Sequence, residues 1–327
     1  MPKTSEVPDL AESPSMRPAG VPDSSRVAVV IPCHNEEATV AKVVADFRAA
    51  LPDALILVVD NASRDRTAEL ARAAGAQVLC ERRPGKGFAL LSGFKKARAS
   101  AADYFVMVDG DDTYPAEDVG QLLAAAEAGA EMVIGTRLEG AQEGAFRAGH
   151  SIGNKLFIGL VRALFGAKTK DLFSGYRVLT RRFLEATPLI AEGFEVEAEL
   201  SLQALVKRFP VAEIPLPYRP RPKESPSKLR TYRDGTRILL AILTFFRDYK
   251  PLTFFGLLAL FFMVLSLAGG AVVIREFLTT GLVPRLPLAV LSAALFLLSA
   301  LSFACGILLS SINRRSAEII AALLPSK

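Results

Sequence analysis

Residues 26–37, with the sequence RVAVVIPCHNEE, contain the pattern that decides the fold: an apolar run, Val27–Ile31, that ends in a polar segment. The same pattern recurs at Leu55–Val59 and at Tyr104–Val108, where polar or acidic side chains again follow the apolar run. Short, continuously apolar runs separated by stretches of helical periodicity are typical of strands buried on both faces. The chain is therefore predicted to contain an α/β domain with a mostly parallel sheet.

The polar segments that follow these strands are predicted to lie close together. Parallel strands bring their carboxyl ends to one edge of the sheet, where α/β proteins bind ligands. The segments Pro32–Glu37, Asp60–Ser63 and Asp109–Asp112 should all open onto that edge. The other predicted strands are Gln77–Cys80, Met132–Gly135 and Val211–Pro215, and the predicted helices are Ala38–Ala50, Thr67–Ala74, Gly87–Ala99, Ser151–Phe165, Phe194–Arg208 and Tyr232–Arg247.

Two long apolar runs follow the α/β region, Leu252–Ile274 and Leu288–Ile312, and neither contains a charged residue. About 20 helical residues cross the roughly 30 Å hydrocarbon core of a bilayer, so both runs are predicted to be transmembrane helices. Because they lack ionisable side chains, they should anchor the protein rather than form a transport path. Basic residues are denser on the outer flanks than in the linker, so the positive-inside rule places the soluble domain and both chain ends in the cytoplasm, at the cell membrane.

The predicted organisation in chain order is a disordered tail over 1–24, a soluble α/β domain over 25–225, a basic loop with an interfacial amphipathic helix over 226–250, transmembrane helices over 251–275 and 286–312, and a cytoplasmic tail over 313–327. The first 24 residues are rich in Pro, Ser and acidic side chains, without the apolar core of a signal peptide. In the interfacial helix, Ile238, Leu239, Ile242 and Leu243 should share one side. A helix of the soluble core is the alternative.

The distribution of charge and the content of cysteine and histidine limit which binding partners and metal sites the sequence indicates. The formal net charge is +5, and the basic residues cluster just before the first apolar run. This distribution favours contact with anionic lipid over nucleic-acid binding, with an ordinary solvated basic surface as the alternative. The three cysteines have no paired spacing and the chain has two histidines, so neither a disulfide framework nor a zinc or histidine metal site is indicated.

Three carboxylates follow the strand at Tyr104–Val108, in the segment Asp109-Gly110-Asp111-Asp112. Burying that much like charge is costly without a cation. Carboxylate oxygens suit a hard divalent ion, Mg²⁺ or Mn²⁺, that also binds phosphate oxygens. Asp109 and Asp111 are therefore candidate metal ligands. The alternative is an acidic turn that caps a helix beginning near Pro115.

Two further segments suit a nucleotide. Asp60, at the end of a strand, could accept a hydrogen bond from a nucleobase or ribose, or could instead cap the following helix. The segment Arg82–Gly87 is a basic glycine loop before a helix, where Lys86 and backbone N–H groups suit a diphosphate. It lacks the third glycine of the dinucleotide-binding fingerprint and the Gly-Lys-Ser/Thr of a P-loop.

The motif order resembles that of the inverting family-2 glycosyltransferases with the GT-A fold. The motifs are Ile31-Pro-x-x-Asn35-Glu36, Val-Val-Asp60-Asn61-x-Ser63, Gly85-Lys86-Gly87, Asp109-Gly-Asp111, Ile134-Gly-Thr-Arg137, Arg147-x-x-x-Ser151, Asp171-x-x-Ser174-Gly175-Tyr176-Arg177 and Ser227-Lys228. From Ile134 onward the chain is similar to dolichyl-phosphate mannose synthase and to the bacterial polyprenyl-phosphate glucosyltransferases. The resemblance covers roughly residues 26–312.

The resemblance implies a role for each matching residue. Nucleotide contacts are implied for Pro32, Asn35, Glu36 and Asp60; ribose and metal–diphosphate contacts for Asp109 and Asp111; and lipid-phosphate contacts for Arg137, Arg147 and Ser151. Asp171 is implied to lie near the transferring carbon, and Lys228 to close over the site. The sequence departs from many relatives at Asp112-Thr113, where they have Leu-Gln, and at Asn61, where they have a second Asp.

The resemblance implies a catalytic domain that transfers a hexose from a UDP- or GDP-sugar to polyprenyl or dolichyl phosphate, with inversion and with Mg²⁺ or Mn²⁺. The implied partners are the nucleotide-sugar, the lipid phosphate, the bilayer and a further copy of the chain, without nucleic acid. A processive polysaccharide synthase is disfavoured, because the chain has no tryptophan for the Gln-x-x-Arg-Trp motif. A nucleotidyltransferase is disfavoured by the lack of its glycine-rich loop. A non-catalytic, membrane-anchored partner that only binds nucleotide-sugar is the alternative from another class.

Overall fold

A computed structural model describes residues 23–137, 148–166, 169–222 and 231–323. The described residues form seven strands and ten α-helices. The strands are β1 (Val27–Cys33), β2 (Leu55–Asn61), β3 (Gln77–Glu81), β4 (Tyr104–Met107), β5 (Met132–Thr136), β6 (Arg177–Thr180) and β7 (Val211–Pro215). The helices are α1 (Val40–Ala50), α2 (Thr67–Ala73), α3 (Lys86–Ala97), α4 (Val119–Glu127), α5 (Ala148–Phe165), α6 (Arg181–Ala186), α7 (Val196–Val206), α8 (Thr231–Tyr249), α9 (Pro251–Thr280) and α10 (Leu286–Leu323).

The strands form one sheet in the order β3-β2-β1-β4-β6-β5-β7. The pairs β1–β2, β1–β4, β2–β3 and β5–β7 are parallel, while β6 runs antiparallel to both β4 and β5. The predicted α/β class and mostly parallel sheet are confirmed. The sequence analysis missed β6, because its four residues include only Val178 and Leu179 as an apolar signal.

Both faces of the sheet are covered, which explains the continuous apolar runs. Along β1, Val29 and Ile31 pack beneath α1, α2 and α4, whereas Ala28 and Val30 pack beneath α3, α6 and α7. Because alternate residues of a strand point to opposite faces, each residue of the run needs an apolar side chain. The polar side chains are left for the strand ends, where the candidate site lies.

A third apolar cluster joins α5, α7 and α8. In α8, Ile238 and Ile242 are buried in this cluster, whereas Leu239 and Leu243 are exposed. These four positions fall on one side of α8, and that side is divided: Ile238 and Ile242 pack on the α/β domain, whereas Leu239 and Leu243 stay exposed. With Leu240, which is 63% exposed, Leu239 and Leu243 form the outward face of α8.

Helices α9 and α10 pack against each other after the α/β domain. Pro251–Thr280, with 30 residues, and Leu286–Ser316, with 31, are each long and apolar enough to cross a membrane by length and composition. Serine hydroxyls join the two helices: Ser266 donates to the Ser292 carbonyl and Ser299 to the Ala259 carbonyl, each at 2.8 Å. Backbone carbonyls are the partners that serines commonly find in apolar surroundings.

Candidate active site

The backbone turns sharply at the carboxyl ends of β1, β2 and β4. Asn35, Ala62 and Asp112 have φ angles of 53°, 54° and 58°, in the left-handed region that non-glycine residues rarely adopt. Such conformations persist where the surrounding structure holds them, and they concentrate at functional sites. Here they bend three loops so that their polar side chains meet at one sheet edge, as predicted from the sequence.

The β1 and β2 ends form one wall of this edge. Asn35 accepts a hydrogen bond from the Arg64 N–H at 2.8 Å, and its own N–H donates to Ser63 Oγ at 3.0 Å. The Glu36 N–H donates to Thr67 Oγ1 at 2.8 Å, and Pro32 pairs with Val59 within the sheet. These contacts bring the candidate donor residues of the first motif beside Asp60.

Asp60 is buried, and its Oδ1 atom has no hydrogen-bond partner within the part of the chain that the structure describes. A buried carboxylate oxygen without a partner is costly unless a ligand supplies a donor. The alternative role of helix cap is wrong for Asp60, because Asp65 accepts the hydrogen bond from the Thr67 N–H at the start of α2. Asp60 therefore stays a candidate acceptor for a nucleotide donor group.

Asn61 fixes the basic glycine loop against β2. Its Oδ1 accepts from the Gly85 N–H at 2.7 Å, and its Nδ2 donates to the Arg83 carbonyl at 2.6 Å. An aspartate could not make the second bond, since a carboxylate has no N–H to donate. The departure at Asn61 is thus explained by the structure. Gly85 has a φ of 144°, and a side chain there would overlap the Glu192 carbonyl.

Each carboxylate of the Asp109–Asp112 segment has a basic partner from the chain. Lys86 Nζ lies 2.5 Å from Asp109 Oδ1, the Arg221 guanidinium contacts Asp111 Oδ2, and Lys42 Nζ lies 2.8 Å from Asp112 Oδ1. Basic side chains therefore balance the charge of these carboxylates in this structure. The sequence analysis did not single out Arg221 as a candidate site residue.

The pKa values of Asp109 and Asp111 shift in opposite directions. Burial disfavours ionisation of Asp109, but the Lys86 charge outweighs it and lowers the Asp109 pKa. Burial and the Asp109 charge raise the Asp111 pKa, against the opposing effect of Arg221. Asp109 is therefore the firmly ionised member of the pair, and Asp111 is the member that depends most on a neighbouring cation.

Asp109 and Asp111 fit a divalent cation by the chemistry of their donor atoms. Both present carboxylate oxygens, and Mg²⁺ is commonly held by one or two carboxylates together with substrate phosphates. Across the four described stretches of the chain, no three His, Cys, Asp or Glu side chains are grouped to hold a metal. Such a site would therefore rely on phosphate oxygens or water to complete the coordination.

Arg137 and Asp171 form a buried, bidentate ion pair. Arg137 Nε and Nη2 donate to the two Asp171 oxygens at 2.8 and 2.9 Å, and the Arg137 and Phe173 N–H groups add bonds at 3.2 and 3.0 Å. Asp171 is 0% exposed. Burial opposes ionisation of Asp171, but the Arg137 charge prevails and lowers its pKa. The sequence treated these two residues as separate acceptor and catalytic groups; the structure brings them together.

Comparison with known proteins identifies the chain. The profile described as "Glycosyl transferase family 2" matches residues 28–187. Glycosyltransferase AglJ of Haloferax volcanii is 34% identical over 237 residues, which cover 72% of this chain and 77% of AglJ. The chain belongs to glycosyltransferase family 2. The predicted family and enzyme class are confirmed.

Two further relatives of this family-2 glycosyltransferase are informative. The dolichyl-phosphate hexose transferase of Haloferax volcanii is 33% identical, over 65% of this chain and 90% of that protein. The glucosyl-3-phosphoglycerate synthase of Mycobacterium tuberculosis, solved with Mn²⁺, UDP-glucose and phosphoglyceric acid, matches with a TM-score of 0.56 at 22% identity, over 68% of this chain and 82% of that one. The structural match confirms the GT-A fold.

The segment 171–177 of the glycosyltransferase is held by Arg177, which is fully buried. Its guanidinium donates to the Ser174 and Leu172 carbonyls at 2.9 and 2.8 Å and to Ser201 Oγ at 2.8 Å. A side chain at Gly175 would overlap the Asp109 carboxylate. The Asp-x-x-Ser-Gly-Tyr-Arg motif therefore shapes the wall that joins the acidic segment to the ion pair.

Three predicted residues cannot be placed. Arg147 and Lys228 lie outside the described residues, and Ser151 lies in α5 where only the backbone is described. The sequence analysis overlooked Glu197, a buried carboxylate of α7 whose Oε1 contacts Lys86. Its signal was weak, because it lies among the acidic residues Glu195 and Glu199 at the start of a helix, where acidic side chains are common.

Proposed function

We propose that the chain transfers a hexose from a UDP- or GDP-linked donor to the phosphate of a polyprenyl or dolichyl phosphate, with inversion at the sugar carbon. The observation that carries the proposal is the Arg137–Asp171 pair beside the acidic segment. Asp171 is ionised but fully engaged by Arg137 and backbone N–H groups, so it is poorly placed to remove a proton. An acceptor that already carries negative charge fits such a site better than a sugar hydroxyl does.

On the donor side, Asp60 would accept a hydrogen bond from the nucleoside, and Lys86 would face the diphosphate from the start of α3. Asp109 and Asp111 would hold a divalent ion, which when bound neutralises charge on the leaving diphosphate. Lys86 is kept in place by Asp109 and Glu197, so its charge is fixed before the donor arrives. Fixed charges of this kind stabilise a transition state without reorganisation.

On the acceptor side, Arg137 would bind the lipid phosphate and orient one of its oxygens toward the sugar. That oxygen forms the new bond to the anomeric carbon as the bond to the diphosphate breaks, and the product is a β-linked glycosyl phosphate lipid. A phosphate monoester is anionic near neutral pH, so positioning and charge compensation suffice. Asp171 would act by holding the Arg137 fork in one orientation.

Helices α8, α9 and α10 support a placement of the catalytic domain at a membrane surface. The outward leucines of α8 and the basic residues Arg237 and Arg247 suit a bilayer surface. Basic flanks at Lys250 and at Arg314–Arg315 support a cytoplasmic catalytic domain by the positive-inside rule. The lipid phosphate would then reach the site from the headgroup layer.

A chain that ends at Lys250 is expected to leave the membrane pellet after a high-salt wash, because it lacks α9 and α10. At low salt it should still bind vesicles that contain anionic lipid, through the outward face of α8. Leu240→Glu in the same shortened chain should weaken that binding severalfold, because it places a charge in the interface. Retention of the shortened chain in the pellet after high salt would contradict the anchoring role of α9 and α10.

The proposed function is tested with the purified full-length chain and one radiolabelled nucleotide-sugar at a time. With polyprenyl phosphate and Mn²⁺ or Mg²⁺ present, at least one UDP- or GDP-hexose should label a lipid that extracts into organic solvent, and excess EDTA should abolish the labelling. If nucleotide-sugars bind but none labels lipid, the non-catalytic alternative replaces this proposal.

A further inference from the structure

Arg221 reaches the acidic segment from a distant part of the chain. It lies in the segment Leu216–Pro222 that follows β7, and its guanidinium contacts Asp111 Oδ2. Asp111 is only 1% exposed, so this contact is made at a buried carboxylate rather than at the surface. The other Asp111 oxygen accepts from Thr113 Oγ1 at 2.6 Å and from the Thr113 N–H at 3.2 Å. Both oxygens of Asp111 are thus engaged by the chain itself.

Two backbone hydrogen bonds attach the segment that carries Arg221 to the α/β domain. The Leu216 N–H donates to the Thr136 carbonyl at 3.0 Å, and the Arg219 N–H donates to the Thr113 carbonyl at 2.9 Å. Arg219 also pairs with Glu117 at 3.0 Å. Arg221 lies two residues after Arg219, and its side chain is 29% exposed. Arg221 is not itself part of β7 or of any other strand, so the sheet pairing does not depend on its contact with Asp111.

We propose that Arg221 is an internal counter-cation that must leave Asp111 before a divalent ion can bind there. Binding of the ion and release of the end of this segment are then a single coupled step. The proposal rests on the metal assignment made under Proposed function and adds the residue that competes with the ion. Thr113, which also contacts Asp111, does not need to leave when the ion binds. It lies two residues from Asp111, and its hydrogen bonds belong to the local turn.

The exchange has a physical consequence for affinity. An ion that binds Asp111 must first break the contact with Arg221. The free energy needed to break that contact is subtracted from the binding free energy of the ion, so its observed affinity is lower. Removing Arg221 should therefore tighten binding of the ion in the absence of nucleotide. In the wild-type chain, the ion should instead loosen the segment Leu216–Pro222.

The matched control is Arg219, which lies on the same segment and carries the same charge. Arg219 pairs with Glu117 and lies 3.8 Å from Asp112, but it does not contact Asp111 in the described structure. Arg219→Gln therefore removes an equal charge from the neighbourhood without freeing Asp111. If loss of a positive charge alone raises the affinity for the ion, both Arg219→Gln and Arg221→Gln will show it. If the affinity rises because Asp111 is freed, only Arg221→Gln will show it.

The experiment titrates Mn²⁺ into the full-length chain in detergent, without nucleotide, and counts free Mn²⁺ by electron paramagnetic resonance. Arg221→Gln is expected to lower the Mn²⁺ Kd by about tenfold, Arg221→Lys by a smaller factor, and Arg219→Gln by no more than about twofold. Hydrogen exchange of the wild-type segment Leu216–Arg221 should become faster at saturating Mn²⁺, a readout that needs no variant.

The outcomes separate two failures. If wild type and both Arg221 variants bind Mn²⁺ equally, or if Arg221→Gln binds it more weakly, the counter-cation role is overturned while the metal assignment stands. If neither wild type nor Arg221→Gln binds Mn²⁺, even with UDP or GDP present, the metal assignment fails and the counter-cation role fails with it. Should Arg221→Gln not fold, Arg221→Lys and the exchange measurement on wild type decide between the same outcomes.

Discussion

Asp111→Asn is expected to lower sugar transfer by about 10²- to 10³-fold, the range typical for loss of one charged group that stabilises a developing charge. The substitution keeps the shape of the side chain but removes the negative charge that would hold the divalent ion. It also removes the partner of Arg221. The measurement is the initial rate of label transfer to lipid at saturating Mn²⁺, together with a thermal melt to show that the variant is folded.

Asp112→Asn is the matched control for this prediction. Asp112 is the next residue, but it pairs with Lys42 and lies near Arg219. Asparagine tolerates the left-handed backbone found there, so the fold should be kept. We expect a rate within about threefold of wild type, because Lys42 is half-exposed and ion pairs open to solvent have small energies. Equal losses in both variants would mean that total charge, not the Asp111 position, governs the reaction.

Arg137→Ala is expected to destabilise the folded chain by about 3–5 kcal/mol, because it leaves Asp171 buried without its counter-ion. Asp171 is 0% exposed and accepts two bonds from the Arg137 side chain. Because the resemblance also implies a lipid-phosphate contact for Arg137, loss of lipid-phosphate use should come together with a lower melting temperature. The melting temperature of the full-length protein in detergent measures it.

Two further variants test whether the loss of stability comes from the uncompensated charge of Asp171 or from removal of any arginine. Arg182→Ala removes an arginine that pairs with Glu131 but is 63% exposed, and it should change stability by no more than about 1 kcal/mol. Asp171→Asn added to Arg137→Ala should recover part of the lost stability, because it removes the uncompensated charge. An Arg137→Ala protein as stable as wild type would show that the ion pair has no structural role.

The sheet and the two long apolar helices could be predicted because each is marked by a continuous local signal. The apolar runs at β1, β2 and β4 are set by burial on both faces of the sheet, and those at α9 and α10 have the length and composition that a membrane span requires. The strand β6 has no such run, and its antiparallel pairing with β4 and β5 depends on where the chain returns after α5.

The candidate site was predicted as a set of residues but not as a set of partners. The sequence pointed to Asp111, Arg137 and Asp171, yet the pairing of Arg137 with Asp171 joins positions 34 apart, and that of Arg221 with Asp111 joins positions 110 apart. Which charges meet across such separations is decided by the tertiary fold. A local sequence pattern indicates which residue types the chemistry needs, but it does not indicate which side chains will pair with them.

The most direct test of the central claim is a competition between acceptors. The purified full-length chain receives a radiolabelled nucleotide-sugar that it can use, Mn²⁺, and equal concentrations of polyprenyl phosphate and 3-phosphoglycerate, with Asp111→Asn as the inactive control. We predict that the label passes into the organic phase as a glycosyl phosphate lipid, and that omission of the polyprenyl phosphate abolishes this product. Label found only in a water-soluble phosphoglycerate product, or transfer that is independent of the lipid phosphate, would contradict the account.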